Sequence, residues 1–155
     1  MKEVDVLGVR LEPATEQPIV LLREKEGQRF LPIWIGTAEA VAIALEMEGI
    51  ETARPMTHDL VKNILEAIGA SVESVSITAI EDDTYFAEIK LSGAFDGVID
   101  SRPSDAIAIA VRFSTSVYVA DEVSKKAGIE LESEDEEIAR FVDFLDRVDP
   151  EDFQA

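Results

Sequence analysis

Three apolar runs crowd the first 35 residues and leave that stretch little choice but a β meander. Residues 4–11, 18–23 and 29–35 are rich in Val, Leu and Ile. Only residues 12–17 and a turn at 24–28 centred on Gly27 separate them. Short β-branched runs so closely spaced pair as antiparallel neighbours. The strand signal returns at residues 71–80, where Val72, Val75, Ile77 and Ile80 alternate with polar neighbours, and at 85–91 after a turn at 81–83. Those two form a hairpin. Short strands are expected at 95–100 and 117–120.

Helical signals lie between and after these strands. Residues 38–48 are rich in Ala, Leu, Met and Glu, with Thr37 as the expected cap, Glu39 in the first turn and Gly49 as the stop. Residues 57–68 repeat the plan with Thr57, Asp59 and Gly69, and place Leu60, Val61, Ile64, Leu65 and Ile68 at helical spacing. Residues 103–113 alternate Ala with Ile and can be read as a strand. Three alanines behind a Pro-Ser-Asp start favour a helix buried on most sides. A short helix at 121–127 and an amphipathic acidic one at 133–148 complete the chain. The expected class is α+β: a mixed, largely antiparallel sheet packed with Ala-rich helices, plus a C-terminal acidic helix. Residues 1–130 would form one domain and 131–155 an acidic helical extension.

The balance of 33 acidic against 14 basic residues gives a net charge of −19. Such a field repels polyanions and argues against a broad electrostatic footprint for DNA or RNA. A nucleic-acid surface would have to be local. The chain has no cysteine, which removes thiolate metal sites, disulfides and cysteine nucleophiles. Its one histidine, His58, removes poly-histidine metal centres. No apolar run is long enough to span a membrane, and residues 1–11 do not read as a signal peptide. A cytoplasmic protein is expected. Trp34, in a strand rich in Leu and Ile, is expected in the core or at an interface.

An internal echo points to the chemistry. The run Glu39-Ala40-Val41-Ala42-Ile43-Ala44 lines up with Asp105-Ala106-Ile107-Ala108-Ile109-Ala110. Arg54-Pro55 precedes His58-Asp59, as Arg102-Pro103 precedes Asp105. With the acids that read as solvated surface set aside, Glu39, Arg54, His58, Asp59, Asp100, Arg102 and Asp105 remain, all near element ends. Carboxylates there suit Mg²⁺ or Mn²⁺, which take oxygen ligands and keep several waters. His58 suits proton transfer near neutral pH. Arg54 and Arg102 suit bidentate contact with phosphate. Each also has a plainer reading. An acid at a helix start stabilises the helix by about 0.3–1 kcal/mol, and the arginines can be its structural partners.

Three stretches in order, 31–36 (Leu-Pro-Ile-Trp-Ile-Gly) with Glu39, 54–60 (Arg-Pro-Met-Thr-His-Asp-Leu) and 102–108 (Arg-Pro-Ser-Asp-Ala-Ile-Ala), resemble the bifunctional nuclease family, also known as DUF151. The resemblance covers roughly residues 1–130. It implies an α+β domain that cleaves both DNA and RNA. Filtered by chemistry, the family's motif residues give a candidate site: His58, Asp59, Asp105 and Glu39 as catalytic groups, Arg54 and Arg102 on substrate, and Glu39, Asp59 and Asp105 as ligands of Mg²⁺ or Mn²⁺. The expectation is a metal-assisted nuclease of low sequence specificity acting on nucleic acid, in a homodimer or higher homo-oligomer. The rival is a non-enzymatic binding or regulatory module in which these Arg/His/Asp motifs are architecture.

Overall fold

The computed structural model describes residues 1–130, so the acidic helix expected at 133–148 lies outside the described residues. The chain runs β1 (Lys2–Leu11), β2 (Pro18–Glu24), β3 (Phe30–Trp34), α1 (Thr37–Met47), α2 (Thr57–Ala67), β4 (Ala70–Glu81), β5 (Thr84–Gly93), β6 (Gly97–Ser101), α3 (Pro103–Phe113), β7 (Ser116–Val119) and α4 (Asp121–Ala127). Every element expected from sequence within residues 1–130 is present, with ends shifted by no more than two residues.

The seven strands form one mixed sheet in the order β3-β2-β1-β7-β4-β5-β6. The meander β1-β2-β3 and the hairpin β4-β5 with β6 are antiparallel. β7 joins the two halves, antiparallel to β1 and parallel to β4. Its register sets Val117 against Val4 on one side and against Val75 on the other, and all three are buried. The β1–β2 register shifts between Val6 and Gly8, and Gly8 holds a φ of 131°, open to glycine and strained for any other residue.

The ambiguous run is a helix. Pro103 sits at its start, where a missing N–H costs nothing, and Ser114 closes it in the left-handed region. Ala106, Ile107, Ala108 and Ala110 are all fully buried. Small residues let the backbones of α1 and α3 approach, with Ala40, Ala42 and Ile43 supplying the buried side of α1. α2 is different: no residue of it is fully buried, and only Val61 and Leu65 pack onto the core.

Two local expectations are corrected and a third is narrowed. The N-cap of α1 is Gly36 rather than Thr37, and that of α2 is Met56 rather than Thr57. At the second helix Asp59 reaches back to accept the Met56 N–H at 3.0 Å, so the third helical position does the capping. Trp34 is not in the core. It ends β3, the edge strand of the sheet, and is 51% exposed. No helix among the described residues is long and apolar enough to cross a membrane.

Candidate functional site

The starts of three helices meet beside one another. α1, α2 and α3 each carry an acid at the third helical position: Glu39, Asp59 and Asp105. The fold brings these starts together because α1 and α2 both pack on α3. Residues 47 to 63 positions apart therefore share two clusters.

The first cluster is Glu39, Arg102, Asp105 and His58. The Arg102 Nε donates to Asp105 Oδ2 at 2.9 Å, and its Nη2 lies 2.8 Å from the same oxygen. Nη2 also donates to Glu39 Oε1. On the far side of Asp105, its Oδ1 meets His58 Nε2 at 2.9 Å. The echo at an offset of 66 residues is thus a spatial fact: its two acids close on one guanidinium. The Glu39 carboxylate folds back over Gly36, where a Cβ would come within 2.5 Å of Oε2. A glycine at that position leaves room for the acid to point at Arg102.

Burial pushes the Asp105 carboxyl up, but hydrogen bonds from His58 and Arg102, with the guanidinium charge, outweigh it and hold the carboxyl below its ordinary value. Asp105 is therefore an ionised acceptor. With Asp105 ionised, the His58 Nε2 is the donor of that hydrogen bond, so in a neutral imidazole the lone pair lies on Nδ1. Arg102 is held charged by Asp105 first and Glu39 second. Its side chain is 65% exposed, whereas that of His58 is 11% exposed. The cluster is thus open on the arginine side and closed on the histidine side.

The second cluster turns inward. The Asp59 Oδ1 accepts from Arg112 Nε at 2.7 Å, while its Oδ2 holds the Met56 N–H. Arg112 is only 3% exposed at its side chain. It also donates to the carbonyls of Ala108 in α3, at 2.8 Å, and Ala42 in α1, at 3.1 Å. One guanidinium thus ties α1, α2 and α3 together. Sequence reasoning did not single out Arg112. The available signal was an arginine one turn after Ala108, directly behind a run of Ala, Ile and Val over residues 106–111.

Hydrogen bonding by Arg112, followed by the Met56 N–H, holds the Asp59 carboxyl below its ordinary value. A lowered folded value contributes stability that is present above the unfolded value and lost as pH falls through the folded one. The Asp59→Asn variant is therefore expected to be less stable at neutral pH and to lose less stability than the parent on acidification below about pH 4. Thermal melts of both proteins across that range check this. Parallel losses in the two would assign the acid sensitivity elsewhere.

Of the remaining candidates, Arg54 is exposed near the start of α2, and among the described residues its guanidinium makes no ion pair or hydrogen bond. Asp100 is exposed on β6. Among the described residues no three His, Asp or Glu side chains are gathered closely enough to hold a metal by themselves. Glu39 and Asp105 converge on one cationic atom, and Asp59 is occupied elsewhere. The centre where those two carboxylates meet is Arg102 Nη2, so a cation held there would have to take the place of the guanidinium. A cavity of about 470 Å³ lies elsewhere, between the β1 bulge at Gly8 and the second half of α1.

The bifunctional nuclease domain family matches residues 20–132. An uncharacterized protein of Mycobacterium tuberculosis is 42% identical, with all of this chain aligned to 99% of the relative. Bifunctional nuclease 2 of Arabidopsis thaliana is 34% identical over 68% of this chain and 33% of its own length. Bifunctional nuclease 1 of the same plant is 32% identical over 72% of this chain and 36% of its own length. This chain thus spans about a third of the plant relatives and nearly all of the mycobacterial one.

Proposed function

The chain belongs to the bifunctional nuclease domain family, and from that premise we propose that it hydrolyses phosphodiester bonds of DNA and RNA at the Glu39–Arg102–Asp105–His58 cluster. The observation that carries the proposal is the His58–Asp105 hydrogen bond set beside an exposed, doubly paired Arg102. An ionised carboxylate behind the imidazole fixes its tautomer and leaves Nδ1 ready to take a proton from an attacking water. To meet a phosphate, for which its fork is matched, the exposed guanidinium would exchange its pairing with Glu39 and Asp105. Arg54 supplies a second cation near the start of the same helix. With Arg102 offset by Glu39 and Asp105, Arg54 would reduce the negative charge that a chain of −19 sets against a polyanion.

Glu39 and Asp105 are the residues that would hold Mg²⁺ or Mn²⁺, which would supply charge neutralisation at the attacked phosphate. Asp59 enters as a positioning residue that fixes the start of α2, and therefore His58, through Met56 and Arg112.

The test is cleavage of single-stranded DNA and RNA with Mg²⁺ or Mn²⁺ against EDTA. Cleavage that EDTA abolishes and either metal restores is expected. Equal cleavage in EDTA removes the metal from the proposal, and absence of cleavage under every condition removes the nuclease reading.

One observation favours the rival reading of a non-catalytic module. All three helix-start acids are paired with arginines inside the fold. That reading expects nucleic acid to remain intact in the same assay.

A further inference from the structure

Ser104 carries a buried hydroxyl with nothing to bond to. It is the second residue of α3, between Arg102 and Asp105, and is 6% exposed. The other buried polar side chains among the described residues are paired, Glu24 with Ser124 and Arg112 with Asp59 and two carbonyls. The Ser104 hydroxyl makes no hydrogen bond among those residues. Burial without a partner costs the fold the hydration of that group. More free donors lie on the same turn. α3 has no side-chain cap, Pro103 has no N–H, and the N–H groups of Ser104 and Asp105 make no hydrogen bond among the described residues. The Asp105 carboxylate does not serve them, since its oxygens are held by His58 and Arg102. At α2, by contrast, Asp59 turns back onto the Met56 N–H and closes the helix start. Helical side chains lean towards the N-terminus, so the Ser104 hydroxyl leans into the junction of the three helix starts.

We propose that the start of α3 is a phosphate subsite and that Ser104 is the residue that fixes the phosphate there. The Ser104 hydroxyl and the N–H groups of Ser104 and Asp105 donate to its non-bridging oxygens. Arg102 donates to it from the solvent side as it leaves Glu39 and Asp105. The donor set decides the ligand. A hydroxyl, two N–H groups and a guanidinium on one helix start can all donate, and a tetrahedral oxyanion presents acceptors in several directions at once. The helix dipole adds positive potential at the same point without a formal charge. That matters in a chain of −19, where Arg102 is already offset by two acids. The inference deepens the nuclease reading and rests on it, since the phosphate is taken as that of a nucleic-acid backbone. It assigns to substrate binding a hydroxyl that the proposed chemistry otherwise leaves unused.

Thermal melts of the full chain in EDTA, with inorganic phosphate set against chloride at matched ionic strength, test it. Phosphate should raise the melting temperature of the parent, because it binds the folded state alone. Ser104→Ala should melt at or above the parent, since it removes an unpaired buried hydroxyl. It should nevertheless bind phosphate roughly ten- to a hundredfold more weakly, the loss of one hydrogen bond to a charged group. In the cleavage assay phosphate should compete with the oligonucleotide, and Ser104→Ala should blunt that inhibition. Absence of any stabilisation beyond that by chloride overturns the proposal, as does an unchanged phosphate affinity in Ser104→Ala. A variant that melts well below the parent overturns it too, because the hydroxyl then serves the fold. So does cleavage that bound phosphate leaves untouched. Phosphate binding that Ser104→Ala weakens, in a chain that cleaves nothing, upholds the subsite and removes the nuclease reading alone.

Discussion

Replacement of Arg112 by methionine should destabilise the domain by about 3–5 kcal/mol, the usual cost of removing one member of a buried pair. The expected signature is a fall in melting temperature of at least about 10 °C. The guanidinium is buried and makes three directional bonds, to Asp59, Ala42 and Ala108, on three helices. Methionine fills similar space but donates nothing. The two carbonyls lose their extra donor, and Asp59 keeps only the Met56 N–H. Because Asp59 fixes the start of α2, the variant should also loosen His58 and lower cleavage beyond what partial unfolding explains. Lysine should rescue poorly, since one ammonium cannot reach three acceptors placed for a planar fork. Thermal and denaturant melts of the three proteins decide the matter. A loss below about 1 kcal/mol would mean that apolar contacts between α1, α2 and α3 already hold the arrangement.

Replacement of His58 by alanine should cost the cleavage rate about 10²–10⁴-fold, the range for a positioned general acid or base. The fold should survive, because the change removes a side chain at the edge of the core whose one hydrogen bond among the described residues runs to Asp105. Asp105→Asn is expected to fall in the same direction, since an amide no longer favours the tautomer with the lone pair on Nδ1. Arg102→Ala should act differently, raising KM more than it lowers kcat if the guanidinium binds phosphate in the ground state. Measuring kcat and KM for the three variants beside circular dichroism separates these roles. Cleavage unchanged by His58→Ala would remove the imidazole from the mechanism and leave phosphate neutralisation as the whole of it.

How much of this was legible beforehand depended on the range of the interaction involved. The strands and helices were read within two residues because period, caps and stops are local. Even the ambiguous Ala/Ile run resolved correctly, since alanine propensity and Pro103 at a helix start outweighed the alternation. The caps were misplaced by one residue at α1 and α2. Thr37 and Thr57 have the chemistry of a cap, but at α2 Asp59 reached the free N–H first. Trp34 was expected in the core or at an interface, and its exposure excludes the core, because a strand's own residues do not say whether it lies at the edge of the sheet.

The candidate site shows the same division. The helix-start echo identified Glu39 and Asp105, and chemistry selected His58 and Arg102. Their contacts span 47 and 63 residues, and no local rule predicts which acid an arginine will choose. Arg102 took two acids at the surface, while Asp59 turned to Arg112, 53 residues away. That choice takes Asp59 out of the set of three acids expected to act together.

By itself the sequence determined the element types, the α+β class, the family resemblance and the strongly negative field, because each follows from composition, short-range periodicity or local motifs. The tertiary structure alone decided the strand order, the insertion of β7 between β1 and β4, the partner of each arginine, and the exposure of Trp34. Those depend on which distant surfaces pack together, and that is settled by the burial of the whole core at once.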